Sequence, residues 1–129
     1  MSRGRWRMRV LLSLELEGLP PSVNQMYRTG RWSARYKKAE TLRYQEGVTE
    51  SMRQHWRGKL ACETPVELRI TFTTNNRRRW DIDNRVKALQ DCLSMAGVIK
   101  DDSQIETLHV ERKSGSKDST YIEVMSKYQ

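Results

Sequence analysis

The stretch Arg77–Asp102, RRRWDIDNRVKALQDCLSMAGVIKDD, decides how this chain is read. It opens with three arginines and then sets two carboxylates, Asp81 and Asp83, one residue apart. A short amphipathic segment follows, and a second acidic pair, Asp101 and Asp102, closes the stretch. Carboxylates brought close together repel one another, so a fold that gathers them normally does so around a cation. Oxygen-only donor sets suit magnesium or manganese rather than zinc, which prefers nitrogen and sulfur. Arginines beside such a set point to a phosphate-bearing substrate. Taken singly, each feature has a plainer reading: Asp-x-Asp before a helix is commonly an N-cap, and an arginine run is commonly a solvated face. Their combination lifts this stretch above those readings.

The residues between the acidic pairs describe a helix. Val86, Leu89, Leu93 and Ala96 recur at helical spacing and form its buried stripe. Asp81 or Asp83 is suited to cap the N-terminus, and Gly97 stands just past the C-terminus. Lys87 follows Asp83 by four positions, which places it on the same face. A helix of about thirteen residues is roughly 20 Å long. Its two ends therefore share one site only if Asp102 folds back along the next strand. An antiparallel pairing of the strands on either side of this helix would bring that about, and it is the expected pairing.

Outside this stretch, charge and composition narrow the class of partner. Lys plus Arg number 24 against 16 Asp plus Glu, a formal net charge of +8 over 129 residues. Such an excess favours a polyanion, nucleic acid first among them. The length is that of one domain, spanning 1–129, with residues 1–7 expected to be a disordered basic arm. Cys62 and Cys92 lack metal-ligand spacing and are expected as free thiols of a reducing compartment. No apolar run reaches the length of a membrane span and no signal peptide is evident, so a cytoplasmic location is expected.

In chain order, Met8, Val10, Leu12, Leu14 and Leu16 alternate as a half-buried strand that Gly18 and Pro20-Pro21 end. A polar loop, Ser22–Arg31, precedes a long helix expected from a Ser33 cap to Trp56. Tyr44, Val48 and Met52 mark its packed face, with Leu42 and Tyr36 near the same side. His55 reads as a solvated histidine at the helix C-terminus and His109 as a structural strand residue. Val66, Leu68, Ile70 and Phe72 alternate as a second strand. After the 83–96 helix, Gln104–Glu111 and Thr120–Met125 alternate again, and the turn formers of 114–118 predict a hairpin between them. The order β-α-β-α-β-β predicts an α+β domain with one mixed sheet of about four strands and two main helices.

The segment DIDNRVKALQDCLSMAGVIKDDSQI resembles the core of the RusA family of Holliday-junction resolvases, and PPSVNQMYR at Pro20–Arg28 resembles a second motif of that family. Both occur in the family's order, and the likeness extends from Leu19 onward. The resemblance implies a metal-binding and catalytic acidic triad at Asp81, Asp83 and Asp102, with Lys87 as the catalytic-site lysine. Asn84 matches the asparagine after the acidic pair, and Asp101 is implied as a neighbour of the ligands or an alternative ligand. Trp80 departs from the pattern, since a basic residue often precedes the first aspartate; this bears on how DNA is held. The implied activity is magnesium-dependent endonuclease cleavage of four-way DNA junctions by paired symmetric nicks, with manganese able to substitute for magnesium. Arg77, Arg78, Arg79, Arg85, Asn24 and Arg28 are the expected DNA contacts. Two symmetric nicks in a two-fold symmetric substrate call for a homodimer, and the family implies a bacterial or prophage source. Two rivals stand beside this expectation. One is a prophage nuclease of flaps or other branched DNA, and the other a non-catalytic nucleic-acid-binding protein whose carboxylates merely cap helices.

Overall fold

Four stretches of alternating apolar residues become four strands, and two stretches of helical periodicity become two helices. In the computed structural model the described residues are 8–21, 31–75 and 82–127, without the side chains of 31–38, 83 and 84. In order they form β1 (Arg9–Glu17), α1 (Arg31–Trp56), β2 (Val66–Thr74), α2 (Asp83–Met95), a 3-10 turn at Asp102–Gln104, β3 (Ile105–Ser114) and β4 (Ser119–Ser126). This is the expected α+β order with one mixed four-stranded sheet. The expectation of a disordered arm at 1–7 falls outside the described residues.

The spatial order of the sheet is β1-β4-β2-β3. Two strand relations differ from the expected ones. β3 runs parallel to β2, not antiparallel, and β4 pairs antiparallel with both β1 and β2, so β3 and β4 form no hairpin. The first follows from the connection: strands joined by a helical crossover are a βαβ unit, whose strands are parallel. The second follows from burial. Thr120, Ile122 and Val124 of β4 are fully buried and belong in the sheet's middle. β3 carries exposed Glu106, His109, Glu111, Arg112 and Lys113, the charged pattern of an edge strand.

The link Gly115–Asp118 must therefore step over the end of β2. Gly115 donates its N–H to the Thr74 carbonyl at 3.1 Å, and Thr74 Oγ1 donates to Asp118 Oδ1 at 2.7 Å. A Cβ at position 115 would run into Thr73 Cγ2, so the step requires glycine. Asp118 also accepts, through its carbonyl, the Gly18 N–H at 3.0 Å, and Thr120 Oγ1 donates to the Gly18 carbonyl at 2.8 Å. These bonds tie the end of β1 to the start of β4.

Both helices contribute to one core cluster with the inward residues of the sheet: Val48, Met52 and Trp56 from α1, and Val86, Leu89 and Leu93 from α2. Local readings needed small corrections. Val10 is half exposed because the β1–β4 register shifts between Val10 and Leu12. α1 begins at Arg31, before the expected Ser33 cap, and Leu42 faces outward at 51% exposure. Tyr36 lies among the side chains outside the description. His55 bonds the Ser51 carbonyl oxygen at 2.9 Å within the last turn of α1, as its helix-end reading expects.

Gly115→Ala is expected to destabilise the fold by about 1–3 kcal/mol through overpacking. Thr73→Ser, which deletes the opposing methyl, should recover part of that loss in the double variant. Urea unfolding of the four proteins checks it; a Gly115→Ala midpoint equal to that of the parent contradicts the close crossing.

Candidate active site

β1, β2 and β3 run in one direction and β4 against them. One edge of the sheet therefore gathers the exits of β1 and β2, at Gly18 and Asn75 respectively. α2 begins beyond that edge with Asp83 as its first residue. Its cap position is held by Ile82, whose side chain makes no cap hydrogen bond. Asp83 is thus helical and not the cap residue. Asp81, Arg77, Arg78, Arg79, Asn24 and Arg28 lie outside the described residues, as do the side chains of Asp83 and Asn84.

At its far end α2 is closed by a Schellman motif. Gly97, at φ +77°, donates to the Ser94 carbonyl at 3.1 Å, and Val98 donates to the Leu93 carbonyl at 3.0 Å. Leu93 and Val98 are both fully buried, the apolar contact that accompanies this motif. The chain reverses there, and Ile99 forms a parallel bridge with Cys62. The turn at 101–104 then lies against the flank of α2.

That reversal decides where Asp102 goes. Its Oδ2 accepts from Lys87 Nζ at 2.9 Å and its Oδ1 from Ser94 Oγ at 3.1 Å. Lys87 Nζ also meets Asp91 Oδ1 at 3.0 Å. Lys87, Asp91 and Ser94 stand at i, i+4 and i+7, one face of the helix. The carboxylate thus reaches back to Lys87 along the helix although β2 and β3 are parallel. Hydrogen bonds to Asp102 first, then to Asp91, raise the Lys87 pKa above its ordinary value. The ammonium is charged throughout the physiological range. Lys87 and both carboxylates remain open to solvent, with side-chain exposures of 58%, 38% and 37%.

Asp101 is used differently. Its side chain accepts the Ser103 N–H at 2.9 Å, and hydrogen bonding from the Ser103 side chain first, then from this N–H, holds its carboxyl below the usual range. It caps the 3-10 turn, and Gln104 completes the capping box from the other side.

Arg85 is half-buried. One of its nitrogens donates to the Pro20 carbonyl, and burial pulls its pKa down while Asp118 and Tyr44 oppose the shift. Arg85 thereby fastens the start of PPSVNQMYR to the first turn of α2, joining two motifs 65 residues apart.

Sequence reasoning passed over Asp91, Ser94 and Gln104. The first two were signalled by their helical spacing from Lys87. Among the described residues no three His, Cys, Asp or Glu cluster as a metal site. The described oxygens on this flank are those of Asp91, Ser94 and Asp102, hard donors of the kind magnesium takes and zinc does not favour.

Residues 17–125 match the family described as Endodeoxyribonuclease RusA, and the chain belongs to that family. Proteins named crossover junction endodeoxyribonuclease RusA are similar to it over most of their length. The one from Aquifex aeolicus is 29% identical over 102 residues, covering 79% of this chain and 80% of the relative. The Shigella sonnei protein is 34% identical over 98 residues, covering 76% and 80%. A relative from Enterobacteria phage 82 is 33% identical with the same coverage.

Because the Lys87–Asp102 pair is exposed, its loss should cost little in folding. Asp102→Asn is expected to change unfolding free energy by less than about 1 kcal/mol. Chemical denaturation measures this; a much larger loss would make the pair a structural element first.

Proposed function

We propose that this protein is a magnesium-dependent endonuclease that resolves four-way DNA junctions by paired symmetric nicks. The observation that carries the reading is the meeting of Lys87 with Asp102 at 2.9 Å on the flank of α2, beside the helix start that Asp83 opens. Two residues of the motif that are separated in sequence come together, and the carboxylate stays open to solvent. Membership of the RusA family and relatives named for junction cleavage support the same reading.

In this reading Asp81, Asp83 and Asp102 would hold the divalent cation. When bound, the ion supplies Lewis-acid polarisation of the scissile phosphate and an acidified water. Lys87 brings a fixed positive charge to the same place. With Asp102 given to a cation, Asp91 would still hold the ammonium, and its charge would offset the negative charge that grows on the phosphate during attack. Arg77, Arg78 and Arg79, which follow β2 in the sequence, neutralise flanking phosphates, as do Asn24 and Arg28 of the other motif. Arg85 is given a different part: it holds Pro20 and so sets where that motif begins.

Charge also selects the face. The side of the sheet away from the helices presents Glu15, Glu17, Glu111 and Glu123 against Arg69 and Lys113. A chain of net charge +8 with an acidic open sheet must carry its basic excess elsewhere. DNA therefore lies over the helices and the edge where α2 begins. A homodimer supplies the two sites that symmetric nicking needs. Among the described residues no helix is long and apolar enough to cross a membrane. We place the enzyme in the cytoplasm of a bacterium, encoded by the host or a prophage.

The test is cleavage of a synthetic four-way junction in magnesium, beside linear duplex and flap substrates. The parent is expected to nick opposing strands of the junction symmetrically. Lys87→Ala and Asp81→Asn are expected to lose at least about a hundredfold in rate while still binding the junction. Equal cutting of flaps would move the substrate to branched DNA at large. Tight binding with no cleavage in magnesium or manganese would leave only a binding protein.

A further inference from the structure

One side chain, Gln104, bonds both the turn that carries Asp102 and the segment before β2. Gln104 Oε1 accepts two backbone N–H groups, those of Lys100 at 2.7 Å and Asp101 at 3.0 Å. Its Nε2 donates twice in the other direction, to the carbonyls of Cys62 at 2.7 Å and Thr64 at 3.0 Å. All the ordinary hydrogen-bonding capacity of the amide is thus used, two acceptances and two donations. The two halves do different work. The acceptor half closes the capping box and shapes the turn. The donor half fastens that turn to the segment before β2, which is itself fixed by the Cys62 N–H to Val98 carbonyl bond at 2.8 Å.

We propose that Gln104 is the positioning residue of Asp102: its amide N–H groups anchor the turn to Cys62 and Thr64, and so set where the carboxylate stands beside Lys87. This rests on the reading of Asp102 as a cation ligand. A turn that only needed closing would be served equally by glutamate, which accepts the same two N–H groups and is a favoured capping-box residue. Glutamate cannot donate to the two carbonyls. Gln104→Glu therefore keeps the turn and releases the anchor, and Gln104→Ala removes both.

The experiment measures junction cleavage across a range of magnesium concentrations for the parent, Gln104→Ala, Gln104→Glu and Asp102→Asn. Unfolding curves confirm that each variant is folded, and Gln104→Glu carries the test if the alanine variant is not. Both Gln104 variants are expected to need roughly 10–100-fold more magnesium for half-maximal rate, the usual cost of losing a group that orients a ligand. Amide exchange at Lys100 and Asp101 should accelerate in Gln104→Ala and stay slow in Gln104→Glu. A parent-like magnesium midpoint in Gln104→Glu overturns the anchor, whatever the alanine variant does. An inactive Asp102→Asn beside that result keeps the site while removing the proposal. Asp102→Asn that cuts as the parent does sinks the reading of the site, and this one with it.

Discussion

Parallel pairing of β2 with β3 is the constraint on which the rest of the structure depends. Parallel neighbours cannot be joined by a tight turn, so the chain must cross from one edge of the sheet to the other, and α2 is that crossing. The crossing would leave Asp83 and Asp102 at opposite ends of the domain. The Schellman closure at Gly97 and the bridge between Ile99 and Cys62 turn the chain back upon the helix. Asp102 then meets Lys87, two turns before the helix ends. Asp102, Lys87 and Asp91 are thus gathered on the flank of one helix and not across a pair of strands.

Much of this was legible in the chain. The four strands and two helices follow from periodicity, and Gly97 was marked as the helix stop by its place after Ala96. Strand order was not, because it depends on comparing burial between strands that are far apart. The signal was present in part: Thr120, Ile122 and Val124 alternate without a charged residue on their face, whereas β3 is crowded with charge. Turn formers at 114–118 suggested a hairpin, yet the same residues serve a step over β2, and local turn chemistry does not tell the two apart.

The family motif groups Lys87 and Asp102 in one set of residues, while their hydrogen bond came only from the fold. Spacing from Asp83 marked Lys87, and the same spacing carried one turn further marks Asp91. Asp101 and Asp102 look alike in sequence but part ways in the structure. Asp101 is consumed by the Ser103 N–H, and Asp102 is left facing the helix. Arg85, expected as a phosphate contact, is half-buried and ties Pro20 to α2. Burial of a long cationic side chain is a tertiary fact that charge patterning alone does not reveal.

The proposed function requires a divalent cation to bind where Asp102 comes back along α2. Manganese is paramagnetic and broadens amide resonances close to it, so titrating it into the protein while recording amide spectra tests the claim directly. A cation held there broadens residues 83–87 and 101–103 together, and the effect is lost in Asp102→Asn. Broadening confined to one of those segments, or spread evenly over the acidic face of the sheet, would contradict it.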